Sequence, residues 1–156
     1  GHAGVSDGVP AGFDRMVKMP GMFNRIAARY ARRLMARREA DVAIRAPYLY
    51  RWHVTPKNRF LNVYLHRYYA SDPGPELHDH PWHSLSYLIE GELREETPQG
   101  TVVRRAGEFV FRRAVQMHRI HLVGEHATTL FVTGPKFRDW GFMTARGWVP
   151  WHEYLG

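Results

Sequence analysis

The chain has 156 residues, of which 44% are hydrophobic and 13% aromatic, with a net charge of +7 and no cysteine. This length and composition predict a single soluble globular domain. They exclude disulfides, thiolate nucleophiles and cysteine-based zinc sites, and no apolar run is long enough to span a membrane. We therefore expect a cytoplasmic protein in which any metal is held by His, Asp or Glu.

The positive charge lies in one segment near the N-terminus. Residues 15–45 carry nine basic and two acidic residues, which accounts for the whole net charge and leaves the rest of the chain neutral. Residues 1–13 are rich in glycine and other small residues, so we expect a flexible arm or a remnant of cloning there. Residues 14–46 are predicted to form an N-terminal helical element that precedes the main domain, residues 47–156.

A long helix is predicted after Pro20-Gly21, over residues 22–44. Four apolar residues recur at helical spacing and form one stripe, with arginines on the other faces: Phe23, Ile26, Tyr30 and Leu34. An arginine-rich amphipathic helix can lie on an anionic membrane or on nucleic acid. Because this stripe is too narrow for strong membrane burial, we expect the helix to pack on its own domain through the stripe, with the arginines in solvent.

From residue 47 onward the pattern changes to short strands. Alternating segments rich in aromatic and β-branched residues are separated by proline and glycine, with no helical pattern between them: 58–69, 83–96, 101–105, 108–113, 118–124 and 128–134. This pattern is typical of an all-β sandwich or barrel. The tail from Phe137 to Leu155 contains three tryptophans and is expected to cover one end of the barrel.

Three histidines occur within six residues in the segment HDHPWH, residues 78–83. Side chains at i and i+2 of a strand share a face, so His78 and His80 can together chelate a divalent transition metal. His83 lies on the opposite face of a regular strand, and only a bulge at Pro81-Trp82 would make it a fourth ligand. Asp79 also lies opposite, and we expect a turn residue or an acceptor for an imidazole N–H.

The spacing of the glycines and histidines resembles the two motifs of the cupin superfamily, small β-barrels with a metal in the mouth. The matching residues are Gly74, His78, His80, Gly91, Gly107 and His118. The resemblance covers about residues 60–140. It implies an all-β, cupin-like double-stranded β-helix barrel, or jelly roll, preceded here by the amphipathic basic helix.

The first cupin motif contains a Glu, and its position is taken here by Ser84. Cupins that keep this Glu bind metal through three His and one Glu, whereas thiol dioxygenases and the small diketone-cleaving dioxygenase use three His alone. The resemblance therefore implies His78, His80 and His118 as ligands of one divalent transition metal. Fe(II) is favoured, with Zn, Ni, Mn or Cu as alternatives. Three neutral ligands leave the ion's charge uncompensated, which favours an anionic substrate such as a carboxylate, enolate or thiolate.

Four residues are candidates for lining the substrate site: His66, Arg67, Trp82 and Ser84. His66 and Arg67 lie on the strand before the first motif, from which cupins often draw substrate contacts. They fall in opposite parity classes, and the residue pattern leaves open which class faces the barrel mouth. The alternative is that these residues are core aromatics with a charge at the rim.

The resemblance and the three-His set lead us to expect a metal-dependent cupin, first of all a mononuclear Fe(II) dioxygenase or related oxygenase acting on a small acid or thiol. The alternatives are a metal-dependent isomerase, lyase or hydrolase, although these more often keep the carboxylate, and a non-catalytic cupin that binds a small ligand. A nucleic-acid or membrane partner for residues 15–45 is disfavoured because the barrel is neutral. The oligomeric state stays open, with the homodimer a common arrangement among cupins.

Overall fold

The structure of the protein is a computed structural model that describes residues 17–156. The arm expected at residues 1–13 lies outside the described residues. Within the described part there are two α-helices and eleven strands: β1 (Val17–Lys18), α1 (Gly21–Arg37), β2 (Val42–Ile44), β3 (Leu49–His53), β4 (Asn62–Tyr68), β5 (Leu77–His78), β6 (Ser84–Thr97), β7 (Gly100–Arg105), β8 (Glu108–Arg112), β9 (Arg119–Thr133), β10 (Gly141–Thr144), β11 (Gly147–Pro150) and α2 (Trp151–Tyr154).

The strands form two antiparallel sheets. The larger sheet has the order β1-β8-β6-β9-β4-β3-β2, with β7 paired to β6, and the smaller has the order β11-β10-β5. Strands β6 and β9 are long and pair with each other over most of their length. These two strands therefore form the frame on which the interior residues are placed, and the predicted all-β architecture is confirmed.

Helix α1 ends at Arg37, before the predicted end at residue 44, because the residues after it are bound to β3. Val42–Ile44 pairs with Leu49–Arg51 as an edge strand. Asp41 accepts a hydrogen bond from the backbone N–H of His53 at 2.6 Å, and the Trp52 indole donates to the Arg38 carbonyl at 3.1 Å. These tertiary contacts replace the helical hydrogen bonds that the local sequence favours.

Helix α1 packs on the outer face of the larger sheet through small residues. Ala28 and Ala31 are buried against Trp52, Tyr87 and Ile89. The sheet already presents bulky side chains here, so the helix can approach it closely only where its own side chains are small. The predicted packing stripe is therefore only partly right: the Phe23 ring contacts Tyr87 edge to face at 5.4 Å, although the residue is also partly exposed. Leu34 packs on this cluster, but the exposed fractions of the other three are 40% for Phe23, 64% for Ile26 and 45% for Tyr30.

Strand β6 changes the face that it presents to the interior about halfway along its length. Leu88 and Leu93 both belong to the inner apolar cluster, although they lie an odd number of positions apart, five. The pairing of β6 with β9 shifts in register on both sides of Glu90. The extra residue in β6 reverses the inward and outward alternation of its side chains beyond this point. Gly91 lies in this irregularity with φ of 87°, and a Cβ atom there would lie 2.6 Å from the His126 carbonyl oxygen. Gly91 thus sits inside β6 and does not end it.

The C-terminal hairpin β10–β11 lies beside the first histidine motif. Phe142 pairs with His78 in the smaller sheet. Trp140 and Trp151 stack at 5.9 Å, and Phe142 stacks on Tyr154 at 4.0 Å. This aromatic layer covers the sheet edge that carries His78. Neither helix in the described part of the chain has the length and apolar character of a membrane-crossing segment.

Candidate metal centre

The fold brings His78, His80 and His118 together although 38 positions separate the last two. Each offers one imidazole nitrogen, and these three nitrogens lie within 4.8 Å of one another. The backbones of His78 and His118 are joined by two N–H to O hydrogen bonds of 2.9 Å. This bridge links the two halves of the cluster, so the spacing does not depend on side-chain contacts alone.

His80 is held from both sides. Its ring stacks on Trp82 with centroids 4.7 Å apart, and its backbone N–H donates to the Ala114 carbonyl at 3.0 Å. Arg138 donates to the His80 carbonyl at 2.9 Å. These contacts restrict the ring to one orientation, which is the preorganisation that a chelating site requires.

Burial keeps two of the three imidazoles in the form that binds metals. Burial, and to a smaller extent the neighbouring His118, lower the pKa of His78 to about 4. Burial also holds the pKa of His80 well below its ordinary value, with His118 and His78 acting in the same direction. Both rings are therefore neutral near pH 7, with a lone pair free for a metal ion.

Glu95 fixes the protonation of the third imidazole. Its Oε1 lies 2.8 Å from His118 Nδ1, so the carboxylate accepts the Nδ1 proton. Arg104 donates to Glu95 through Nε at 2.8 Å, and Arg112 donates to Oε1. Burial alone would raise the pKa of Glu95, but Arg112 and the His118 hydrogen bond lower it by more, so the group is charged.

The Nε2 atom of His118 is left as a buried lone pair. It has no hydrogen-bond partner among residues 17–156. A carboxylate behind one ring nitrogen and a metal in front of the other is the usual arrangement of a metal-binding histidine. The orphaned nitrogen and the two neutral rings beside it therefore fit a divalent metal.

Sequence reasoning missed Glu95 because it assumed regular alternation along β6. On that assumption Glu95 lies on the face opposite to Ser84 and Ser86. The irregularity around Gly91 reverses the alternation and turns Glu95 inward. A glycine inside a strand pattern was the available signal, since it commonly marks a bulge.

His83 lies outside the cluster, so it does not take the role of fourth ligand that a bulge at Pro81-Trp82 would have given it. Its side chain is exposed, its Nδ1 accepts the Ala114 N–H at 2.9 Å, and its ring packs 4.9 Å from Phe137. Residues 80, 82 and 86 line one cavity, so Pro81-Trp82 does not turn the next residue inward. His83 therefore caps a turn.

A cavity of about 130 Å³ adjoins the three histidines inside the barrel. Two of the predicted lining residues, His66 and Trp82, line it. Ser84 is buried but lies outside the lining, which takes Ser86 from the same strand. The even-numbered residues of β4, such as His66 and Tyr68, thus face the interior.

Arg67 belongs to the opposite face of β4, so its prediction as a substrate contact is wrong. Its Nη1 donates to Thr128 Oγ1 at 2.7 Å and forms an ion pair with Glu90 at 3.2 Å. Glu90 also pairs with Arg32 of α1 at 2.8 Å. Arg67 therefore helps to attach the helix.

The two aspartates next to the histidines have different tasks. Asp79 hydrogen-bonds to no imidazole among residues 17–156, contrary to one of its two expected roles. It accepts from Gly141 N–H at 2.8 Å and from the Trp148 indole at 3.1 Å, and it pairs with Arg138 at 2.8 Å. Asp79 thus anchors the C-terminal hairpin. The carboxylate near His78 is Asp72, whose Oδ2 lies 4.0 Å from His78 Nδ1.

Comparison with known proteins supports the fold. No protein-family model matches the sequence, and no curated protein matches it. A proposed mannose-6-phosphate isomerase from Ralstonia eutropha JMP134 has a TM-score of 0.51 at 21% identity, over 62% of this chain and 93% of its own. A conserved protein with a double-stranded β-helix domain from Klebsiella pneumoniae has a TM-score of 0.50 at 19% identity, over 65% and 84%.

A cupin superfamily protein from Desulfitobacterium hafniense DCB-2 is also similar, with a TM-score of 0.49 at 13% identity, over 61% of this chain and 84% of its own. At these identities the likeness concerns the fold alone. The fold predicted from the sequence is confirmed: the chain forms an all-β double-stranded β-helix, or jelly roll.

Proposed function

We propose that the protein is a metal-dependent cupin enzyme that acts on a small anionic substrate at a mononuclear site formed by His78, His80 and His118. The observation that carries this proposal is the buried Nε2 of His118, which has no partner while Glu95 occupies Nδ1. A histidine with a purely structural role would leave no buried lone pair unpaired. The nitrogens of His78 and His80 converge on the same place, so the three lone pairs together can bind a metal ion.

Imidazole ligands suit Fe, Zn, Ni, Mn and Cu, and we propose Fe(II) with a dioxygenase reaction. When bound, Fe(II) supplies redox chemistry with dioxygen. Within residues 17–156 no carboxylate joins the three-His group, and Glu95 is engaged by His118, Arg104 and Arg112. This ligand set agrees with the three-His dioxygenases, whose sequence pattern lacks the motif Glu.

The surrounding residues prepare the site for a small anion. The single negative charge of Glu95 offsets only one of the two positive charges of Arg104 and Arg112, with which it pairs. Arg51 and Arg112 both line the cavity. Asp72 is the acidic residue of that lining. Trp82 and Phe131 pack edge to face at 5.5 Å and form an apolar part of the cavity wall. The interior therefore combines positive charge with a restricted volume.

Oxygen uptake tests the proposed reaction. The protein is loaded anaerobically with Fe(II), its iron content is measured, and oxygen consumption is followed with a panel of small carboxylic acids, 2-hydroxy acids and thiols. We expect consumption with at least one compound, and none with Zn-loaded protein or with His118→Ala. His121→Ala, which changes an interstrand histidine three residues away, should retain it. No uptake with any compound despite bound iron would contradict the dioxygenase and favour an isomerase, a lyase or a non-catalytic binding protein.

A further inference from the structure

His66 is a buried histidine that the metal cluster does not use. It lies on β4 with an exposed fraction of 2%, between the rings of Tyr64 and Phe131 at centroid distances of 5.9 and 5.1 Å. Its Nε2 accepts a hydrogen bond of 2.9 Å from Nε of Arg51. The stacking and this bond together fix both the plane of the ring and its rotation.

The bond from Arg51 determines which nitrogen of His66 carries the proton. A guanidinium stays protonated in proteins and can only donate, so Nε2 must offer its lone pair. A neutral imidazole has one proton, which is therefore on Nδ1. Burial, and then the charge of Arg51, hold the pKa of His66 well below its ordinary value, so a second proton is not taken up near pH 7.

The resulting Nδ1–H donor has no partner. Nδ1 of His66 is buried and makes no hydrogen bond within residues 17–156. His66 lines the same cavity as the three clustered histidines. The unpaired donor and the unpaired Nε2 of His118 thus belong to one interior space, and both call for a polar occupant.

The size and charge of this space limit what can fill it. A volume of about 130 Å³ corresponds to roughly four water molecules at about 30 Å³ each. Arg51 and Arg112 line it together with the carboxylate of Asp72, and Arg112 also pairs with Glu95. A short anion with acceptor oxygens fits these limits.

We propose that His66 is a substrate-binding residue whose Nδ1–H, fixed by Arg51, donates to an oxygen of a short carboxylate or 2-hydroxy acid in the cavity beside His78, His80 and His118. The inference rests on the proposed function, since it places this acid next to the metal. The His66 donor should also position the acid, because the imidazole ring cannot turn away without breaking the hydrogen bond from Arg51.

Nitrogen-15 NMR of the histidine rings tests the inference with glycolate as the probe. Spectra are recorded on metal-free and Zn(II)-loaded protein, with the zinc content measured separately. In both forms His66 should be the Nδ1–H tautomer. Glycolate should move the His66 Nδ1 and Hδ1 signals saturably in the zinc form, whereas ethylene glycol, which lacks the charge, should move them little.

Two variants separate a binding role from a structural one. His66→Leu removes the donor and should weaken glycolate binding about tenfold or more, as expected for a lost hydrogen bond to a charged group. His66→Asn keeps an N–H near the position of Nδ1 and should remain within about threefold of the wild type. His152→Asn, at an exposed position on α2, is the control and should bind as the wild type does.

The outcomes distinguish this inference from the proposed function. An Nε2–H tautomer for His66, or no response to glycolate in zinc-loaded protein, overturns the inference while the metal site stands. Equal loss of affinity in the Leu and Asn variants also overturns it. If zinc does not bind but glycolate still moves the His66 signals, the proposed function fails and the donor site stands. The tautomer and titration measurements use the wild type, so they decide the matter even if a variant misfolds.

Discussion

Among single residues, Glu95 has the largest influence on the state of the proposed metal site. We expect Glu95→Gln to weaken metal binding roughly 10–100-fold, because the neutral amide is a poorer acceptor for the Nδ1 proton of His118. Competition with a chromogenic zinc chelator measures the affinity. Glu96→Gln is the matched control, since Glu96 contacts His121 at 2.7 Å in the same way. Equal affinities for wild type and Glu95→Gln would show that the carboxylate does not support the site.

His66 should contribute to the pH dependence of folding. Its unfolded-state pKa is near 6.5, and burial and Arg51 lower the folded-state pKa far below that. Below pH 6.5 the unfolded chain therefore binds a proton that the folded protein does not, so stability is full above this pH and falls as the pH decreases. The slope for one histidine is up to about 1.4 kcal/mol per pH unit.

Urea denaturation of metal-free protein between about pH 6.5 and pH 4.5 measures this slope. His66→Leu should flatten the dependence by about the contribution of one proton. His152→Leu should leave it as in the wild type. Parallel curves for wild type and His66→Leu would mean that His66 takes up its proton in the folded state.

Among the elements, β6 depends on the irregularity at Gly91. Gly91 and Gly124 have almost the same φ, 87° and 85°. A Cβ atom would meet the His126 carbonyl at 2.6 Å in the first case and nothing within 4 Å in the second. Both alanine variants therefore incur left-handed strain of about 1–3 kcal/mol, and Gly91→Ala incurs a backbone clash in addition.

We expect Gly91→Ala to be less stable than Gly124→Ala by about 1 kcal/mol or more, as for other overpacking changes. It should also lower metal affinity, because the clash disturbs the turn that brings Glu95 inward. Urea denaturation and zinc titration provide the two readouts. Equal stability of the two variants would show that the close contact at Gly91 relaxes without cost.

The packing face of α1 can be tested with one substitution made on each side. Ile26→Gln changes an exposed position and should alter stability by no more than about 0.5 kcal/mol. Ala31→Gln places a larger polar side chain at a fully buried position and should cost about 1–3 kcal/mol or more. Glutamine is a good helix former, so helix propensity changes little in either variant. Thermal unfolding measures both, and a larger loss at Ile26 would contradict the observed face.

Several element-scale features were predictable from local spacing. Alternation and glycine or proline punctuation located the strands, since these patterns follow from local geometry. Whether the even-numbered or the odd-numbered residues of β4 face the cavity was not predictable, because both sets contain aromatic residues. The pairing of β4 with β9 in the folded protein fixes this choice. The buried face of α1 was missed in part for a related reason: against a bulky sheet the helix buries Ala28 and Ala31, while Ile26 and Tyr30 stay exposed.

For the whole molecule, the jelly roll and the grouping of His78, His80 and His118 followed from the sequence because cupin motif spacing reflects barrel geometry. Glu95 did not follow, since its inward position results from a register shift between β6 and β9. Gly91 is a local sign of such a shift, but only the pairing with β9 shows that it reverses the alternation. The C-terminal hairpin was expected only as a cover, whereas it is tied to the site by Asp79 through Gly141 and Trp148.

Metal stoichiometry is the most direct test of the three-histidine site. Wild type, His118→Ala and His121→Ala are purified without chelator, loaded with Fe(II) or Zn(II), desalted and analysed by elemental mass spectrometry. A three-histidine site should hold about one metal per chain in the wild type and in His121→Ala. His118→Ala should lose most of this metal, since a chelate that keeps two of three ligands binds far more weakly. Full metal content in His118→Ala, or none in the wild type, would contradict the three-histidine site.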